Sequence, residues 1–404
     1  MYIYIKVKEL IFDLLFLLII TNQILCRFFP FMNFLDELIF FFCLCSIFVY
    51  SRQINKNILL ILFCLVVILL CGIISNAIIG YQENIIAIFK DIILFLKFPI
   101  TFICVLIFHK NLVNHINVNH ILYLIIIYVQ ILFFFAIISF FKDIGMSQNY
   151  DIRYGIIPYQ FLYSHPTFLA YALVFISIVL VGIIPNKRDY FILQLQILVL
   201  LFLTMRNKAF AYIFMYYFIV YLSPRNKDIS PIYIILASII ATIFSLEKIY
   251  LYSTFTWSPR AQMYSTALDI AKSFFPFGSG CGSFGSSISG EYYSFIYYLY
   301  GINEKIPQDS YETLSDSQLP YYLGQFGMFG VCLYLLVIIL FFKYSKSIFL
   351  YSYNKYKSVY LMFAYIAIAS LVESILTNES GSTIALSLIF CEKNLIKHNK
   401  LSYL

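Results

Sequence analysis

Long apolar runs, each close to the length of a membrane-crossing helix, recur along nearly the whole chain. Crossing the hydrocarbon core takes about 20 apolar residues, and a helix satisfies its own backbone hydrogen bonds there. The expected fold class is therefore all-α: a polytopic integral membrane protein with about twelve transmembrane helices. Composition agrees, since 62% of the 404 residues are hydrophobic and 12% are charged, about half the charged share of a soluble domain.

In order, the candidate spans are Leu10 to Cys26, Leu35 to Tyr50, Ile58 to Gly80, Ile92 to Phe108, Ile121 to Phe141 and Ser164 to Ile184. Tyr190 to Met205, Arg206 to Leu222, Ile229 to Leu246, Pro320 to Phe342, Val359 to Thr377 and the short Ser380 to Cys391 follow. The first run follows Lys6 and Lys8 as a signal peptide would. Arg27 stands where a small cleavage-site residue belongs, and a second run follows at once, so it reads as a retained helix. Lys97 and Pro99 interrupt the fourth span; an intramembrane Lys is a functional candidate, and a paired or snorkelling one reads equally well.

Of the 27 Lys and Arg, 16 fall in segments that share a side with the N-terminus. The positive-inside rule then places both termini in the cytoplasm. The net charge of +7 is explained by short loops facing anionic lipid, and no basic stripe suggests nucleic acid. The 43 Phe and 36 Tyr beside one Trp reflect a biased composition, not a ligand cage. Six of the nine Cys (Cys43, Cys45, Cys64, Cys71, Cys104 and Cys332) lie in apolar runs, where they behave as small hydrophobes. With neither a CxxC pair nor a Cys/His cluster, neither a zinc site nor a disulfide framework is expected. No Asp-x-Asp metal motif occurs.

One connection is far longer than usual. Residues 1–246 carry about nine spans, 247–319 form an outer loop, and 320–404 hold the last spans and a cytoplasmic tail. A loop of that length is functional or a small folded unit. It carries four basic and seven acidic residues, a balance suited to a neutral, sugar-like ligand bearing a local anionic group. Within it, Ala261 to Phe274 has Ala267, Ile270, Ala271 and Phe274 on one side and reads as a helix lying at the membrane interface.

Three outer-face arginines stand near membrane boundaries: Arg153 in Asp151-Ile152-Arg153-Tyr154-Gly155, Arg206 at a short turn, and Arg260 after Trp257-Ser258-Pro259. Arg offers a planar fork of donors that grips phosphate oxygens, and three converging forks would make a diphosphate site. Each also reads as an interfacial side chain, Arg206 most of all with Lys208 beside it. The stretch Gly278-Ser279-Gly280-Cys281-Gly282-Ser283-Phe284-Gly285 contains GxGxxG but no preceding strand. Its glycines either bring backbone N–H groups close to an anion or sugar, or form a surface turn. Asp316 stands at the mouth of the tenth span. There it is a base for an attacking hydroxyl or a helix N-cap. Asp269 is the alternative base, and Asp309 and Glu312 look like solvated charges.

The run Ser258-Pro259-Arg260, Ala267-Leu268-Asp269-Ile270 and Phe275 to Phe284 resembles the loop of O-antigen and capsular polysaccharide polymerases of the Wzy type. Asp316-Ser317-Gln318-Leu319-Pro320 and Gly324 to Gly330 resemble the start of that family's next helix. Arg153 with His165-Pro166-Thr167, and Arg206 to Phe210, resemble two earlier motifs. The resemblance covers about Asp151 to Leu376. It implies a polymerase that transfers a growing glycan from polyprenyl diphosphate onto a lipid-linked repeat unit outside the cytoplasm, in the cytoplasmic membrane. It implies Arg260, Asp316 and Arg153 as catalytic and Arg206, His165, Gly278, Gly280, Gly282 and Gln318 as substrate-binding, with no metal and no cofactor. Its partners would be polyprenyl-diphosphate-linked glycans, membrane lipids and a chain-length regulator or other assembly proteins. The related O-antigen ligases share the architecture, but many carry His where this chain has Asp316. A flippase for lipid-linked sugars is the rival of another class, usually with weak internal symmetry and short loops.

Overall fold

A segment with no water to bond must pair every backbone N–H and C=O within itself. In the computed structural model, which describes residues 2–112, 116–149, 151–153, 155–184, 188, 190–222, 258–349 and 353–391, no strand occurs among the described residues. The main helices are α1 (Tyr2–Phe28), α2 (Leu35–Val49), α3 (Lys56–Ile79), α4 (Ile85–Leu112), α5 (Val118–Phe141) and α6 (Pro166–Ile183). They continue as α7 (Phe191–Leu203), α8 (Asn207–Tyr217), α9 (Pro259–Ser273), α10 (Gln318–Phe349), α11 (Tyr353–Ser370) and α12 (Glu379–Phe390).

Seven segments among the described residues are long and apolar enough to cross a membrane: Val7–Phe28, Pro30–Val49, Lys56–Ile79, Ile85–Phe108, Val118–Phe141, Pro166–Ile183 and Gln318–Phe349. They coincide with the first six expected spans and the tenth. The expected span Val359 to Thr377 falls on α11, which is 18 residues long but is not among these seven. α7 is a shorter apolar helix, α8 gives way to a π turn at Phe218–Leu222, and α12 has 12 residues and opens on Glu379-Ser380-Gly381-Ser382-Thr383. The expected span Ile229 to Leu246, the start of the long loop and the tail after Cys391 lie outside the described residues.

Local signals set the ends. Asn55 accepts the Ile58 N–H at 3.0 Å to start α3, and His165 with Pro166 starts α6. Ser258 accepts the Ala261 N–H at 3.2 Å ahead of Pro259 to start α9. Burial separates inner from outer helices: α6 and α4 bury 83% and 78% of their most apolar windows, whereas α1 and α2 bury 22% each. The outer helices turn side chains such as Phe42, Phe48, Ile78 and Phe140 outward, as a lipid-facing surface requires. Lys97, within α4, is internally paired: its ammonium lies 2.6 Å from Asp36 and 2.5 Å from Glu37 on α2. The nine cysteines are free.

The glycine-rich stretch has a packing role. α10 breaks at Gly327, where φ is 63° and ψ −169°. A break releases carbonyls that a membrane protein must re-satisfy. Ser279 and Gly280 do so, donating their N–H groups to Gly324 and Gln325 at 2.8 and 2.9 Å. Gly282 donates to Asp91 of α4 at 3.1 Å and to the Gln325 side chain at 3.0 Å. A Cβ at Gly278 would fall 2.5 Å from the Gly327 nitrogen, so only glycine permits the approach.

The described part of the long connection is a small folded unit. Met263, Ala267, Ile270 and Ala271 of α9 gather with Phe284, Tyr293, Tyr297, Ile302, Ile306 and Leu314 into a separate apolar cluster that includes Leu323 of α10. The expected interfacial helix therefore buries its apolar side against protein. The cause is a partner surface, α10, that the loop sequence alone does not reveal.

Candidate functional site

A cavity of about 1060 Å³ opens between α6, α8, α9, α11 and the start of α12. Arg153, His165, Arg206, Arg260 and Asp316 all line it. Five residues singled out in the sequence, spread from Arg153 to Asp316, thus share one space.

Each is positioned by its own element. Arg153 lies in the segment between α5 and α6, where it bridges to Ile156. Its Nη2 donates to Asp151 at 2.8 Å and its Nη1 to the Met205 carbonyl at 3.2 Å. Arg206 follows Met205, a non-glycine residue at φ 51°, a conformation that costs roughly 1–2 kcal/mol. That turn joins α7 to α8 tightly and brings Arg206 Nη1 to 3.0 Å from Asp151, while Nη2 donates to Gln148. Asp151 therefore joins both guanidinium groups. Hydrogen bonds from Arg153, aided by the charge of Arg206, hold its carboxyl below the usual carboxylate range.

His165 stands just outside the span Pro166–Ile183. Its Nδ1 accepts the Thr167 N–H at 3.2 Å, capping α6, and its Nε2 lies 3.2 Å from Arg206 Nη2. Burial, with the charges of Arg206 and Lys208, pushes the imidazole down to about 4. It is neutral at pH 7, and with Nδ1 accepting, Nε2 carries the proton. An Nε2–H beside a guanidinium is a pair of adjacent donors, an arrangement that an anionic oxygen satisfies.

Arg260 opens α9 and its Nη2 meets Asp316 Oδ2 at 3.3 Å. Asp316 makes no capping bond to α10; its hydrogen bond is to Arg260. The remaining donors of Arg260 have no hydrogen-bond partner among the described residues, and its side chain is 32% exposed.

Gly278, Gly280, Gly282 and Gln318 do not line the cavity. The glycine N–H groups are engaged with Phe274, α10 and Asp91, and the buried Gln318 accepts the Leu376 N–H at 2.8 Å, tying α10 to the segment before α12. Asp269 lies 3.7 Å from Lys272 on the exposed side of α9, away from the cavity.

Two groups escaped sequence reading. Lys208, read as ordinary interfacial charge, is buried, bonds both oxygens of Glu373 at 2.7 and 2.5 Å and donates to the Tyr171 hydroxyl at 2.9 Å. Glu379 lines the cavity with Gln23, Asn378 and Ser380. An acidic residue inside or beside an apolar run, as Glu373 and Glu379 are, was the available signal. Ala211 and Met215 of α8 and Ala364, Ala367 and Ile368 of α11 supply an apolar wall. The cavity therefore combines fixed cations, carboxylates and an apolar flank, a setting for an amphiphile with an anionic head. No group of His, Cys, Asp and Glu among the described residues has the arrangement of a metal site. Compared with known proteins, the chain matches no family model and no curated protein.

Proposed function

We propose that the chain is a membrane glycosyltransferase that polymerises polysaccharide repeat units, moving a growing glycan from polyprenyl diphosphate onto a lipid-linked acceptor at the outer face of the cytoplasmic membrane. The observation that carries this reading is the cavity itself. Arg153, Arg206 and Arg260, drawn from separate motifs that resemble the polymerase family, line one space beside an apolar flank. Such a flank suits a prenyl chain, and the arginines suit its diphosphate. Arg260, with donors that have no partner among the described residues, stabilises charge developing on the departing diphosphate, and preorganised donors of this kind usually dominate such catalysis. The about twelve spans, the outer placement of residues 247–319 and the cytoplasmic termini belong to this proposal.

A strain lacking the gene tests it. Loss of a polymerase leaves a single repeat unit on surface glycan, loss of a ligase leaves none attached, and loss of a flippase strands the unit inside. A normal glycan ladder from the deletion strain overturns the proposal. With purified protein, farnesyl diphosphate serves as the amphiphilic probe: it should bind, and Arg260→Ala should weaken binding at least tenfold.

A further inference from the structure

Among the described residues, three carboxylates line the cavity: Asp316, Glu373 and Glu379. A base that takes a hydroxyl proton is weakened when a cation holds its charge. Asp316 is paired with Arg260 and Glu373 with Lys208. Glu379 has no ion pair among the described residues. Neutral amides hold it instead: Asn22 Nδ2 donates to Oε1, and Gln23 Nε2 donates to Oε2 at 2.5 Å. These bonds fix its orientation and leave further lone pairs, since a carboxylate accepts about four hydrogen bonds. The charged groups acting on it are Lys97 of α4 and Glu37 of α2, which hold one another, with Asp36 on the same ammonium; Cys26 of α1 also feels its charge.

With Nδ2 donating to Glu379, Asn22 is oriented, and its Oδ1 has no hydrogen-bond partner although the residue is only 1% exposed. Asn22 lies outside the cavity lining, so its part is to orient Glu379. Gln23, Asn378 and Ser380 add amides and a hydroxyl to the same part of the cavity, the lining that sugar hydroxyls require.

We infer that Glu379 with Gln23 forms the acceptor-sugar subsite and that Glu379 takes the proton from the attacking hydroxyl; this rests on the glycosyl transfer proposed above. The bond between the acceptor oxygen and the donor's anomeric carbon forms. The bond from that carbon to the diphosphate oxygen breaks and its electron pair leaves on the diphosphate. The hydroxyl proton passes to the Glu379 carboxylate. Asp316, under this assignment, is a positioning residue for Arg260.

The test uses full-length protein in nanodiscs with the lipid-diphosphate repeat unit extracted from the deletion strain. Glu379→Gln keeps the shape and removes the base. The expected result is a fall in polymer formation of at least about 100-fold, farnesyl diphosphate affinity within about threefold of wild type, and loss of the acid limb of the pH–rate profile. Glu379→Asp, which retains a carboxylate, should recover part of the rate, and Asp316→Asn should stay within about tenfold of wild type. Glu379 also opens α12 and ties it to α1. A purely structural role would lower the rate equally at every pH, with reduced thermal stability, and that result overturns the inference. So does a Glu379→Gln rate within about threefold of wild type, which leaves the polymerase reading intact. A wild type that binds no farnesyl diphosphate and makes no polymer overturns both.

Discussion

Arg260 and Asp316, 56 residues apart in the chain, meet at 3.3 Å where the start of α9 faces the segment leading into α10. The contact is single and half-exposed, and exposed pairs contribute about 0–1 kcal/mol. Its importance is geometric: it holds a guanidinium at the cavity wall while leaving most donors available.

Replacing Arg260 should therefore cost activity and not folding. Arg260→Lys keeps the charge but loses the planar fork, and both it and Arg260→Ala should yield only single-unit glycan while remaining abundant in the membrane. Long chains made by either variant at normal expression would remove the diphosphate role from this residue.

Lys208 and Glu373 should behave in the opposite way. Their pair is buried, with Lys208 side-chain exposure at 6%, and removing one partner strands the other charge at about 3–5 kcal/mol. Thermal unfolding in detergent should show Lys208→Met and Glu373→Gln each strongly destabilised and the double variant Lys208→Met/Glu373→Leu recovering most of the loss. Additive losses in the double variant would show that the two side chains are not coupled.

His165 gives stability a pH dependence. Its folded value near 4 lies below the unfolded one of about 6.5, so the unfolded chain binds the extra proton first. Stability from this residue is present above about pH 6.5 and declines as pH falls towards 4. Comparing melting temperatures at pH 7 and pH 5, His165→Asn, which still caps α6, should lose part of the decline seen in the wild type. An unchanged decline would mean that another group titrates.

Gly280 and Gly80 both have positive φ, 98° and 71°, yet differ in surroundings. A Cβ at Gly280 would fall 2.6–2.8 Å from Asn76, backbone included, whereas one at Gly80 meets nothing within 4 Å. Gly80→Ala should cost roughly 1–2 kcal/mol, and Gly280→Ala clearly more, as read from thermal midpoints. Equal losses would refute the close-packing account of the glycine-rich stretch.

Much of the architecture was legible because its causes are local. Runs such as Ile58 to Gly80 and Ile121 to Phe141 leave a membrane helix as the economical way to satisfy the backbone. Sequence says less where a helix is short or hides polar groups. α12 is short and buried among other helices, so hydropathy neither gains nor loses much by calling it a span.

The sequence by itself determined that the chain is helical and membrane-embedded, because hydropathy and backbone satisfaction act within one segment. It also singled out Arg153, Arg206, Arg260 and Asp316 by residue type and position. Tertiary structure alone decided their grouping around one cavity, the pairing of Lys208 with Glu373 across 165 positions, and the amide-held state of Glu379. Those outcomes depend on which helix faces pack together, here α8 on α11 and α1 beside α12. Charges distant in sequence choose partners only after the apolar faces have set the distances between them.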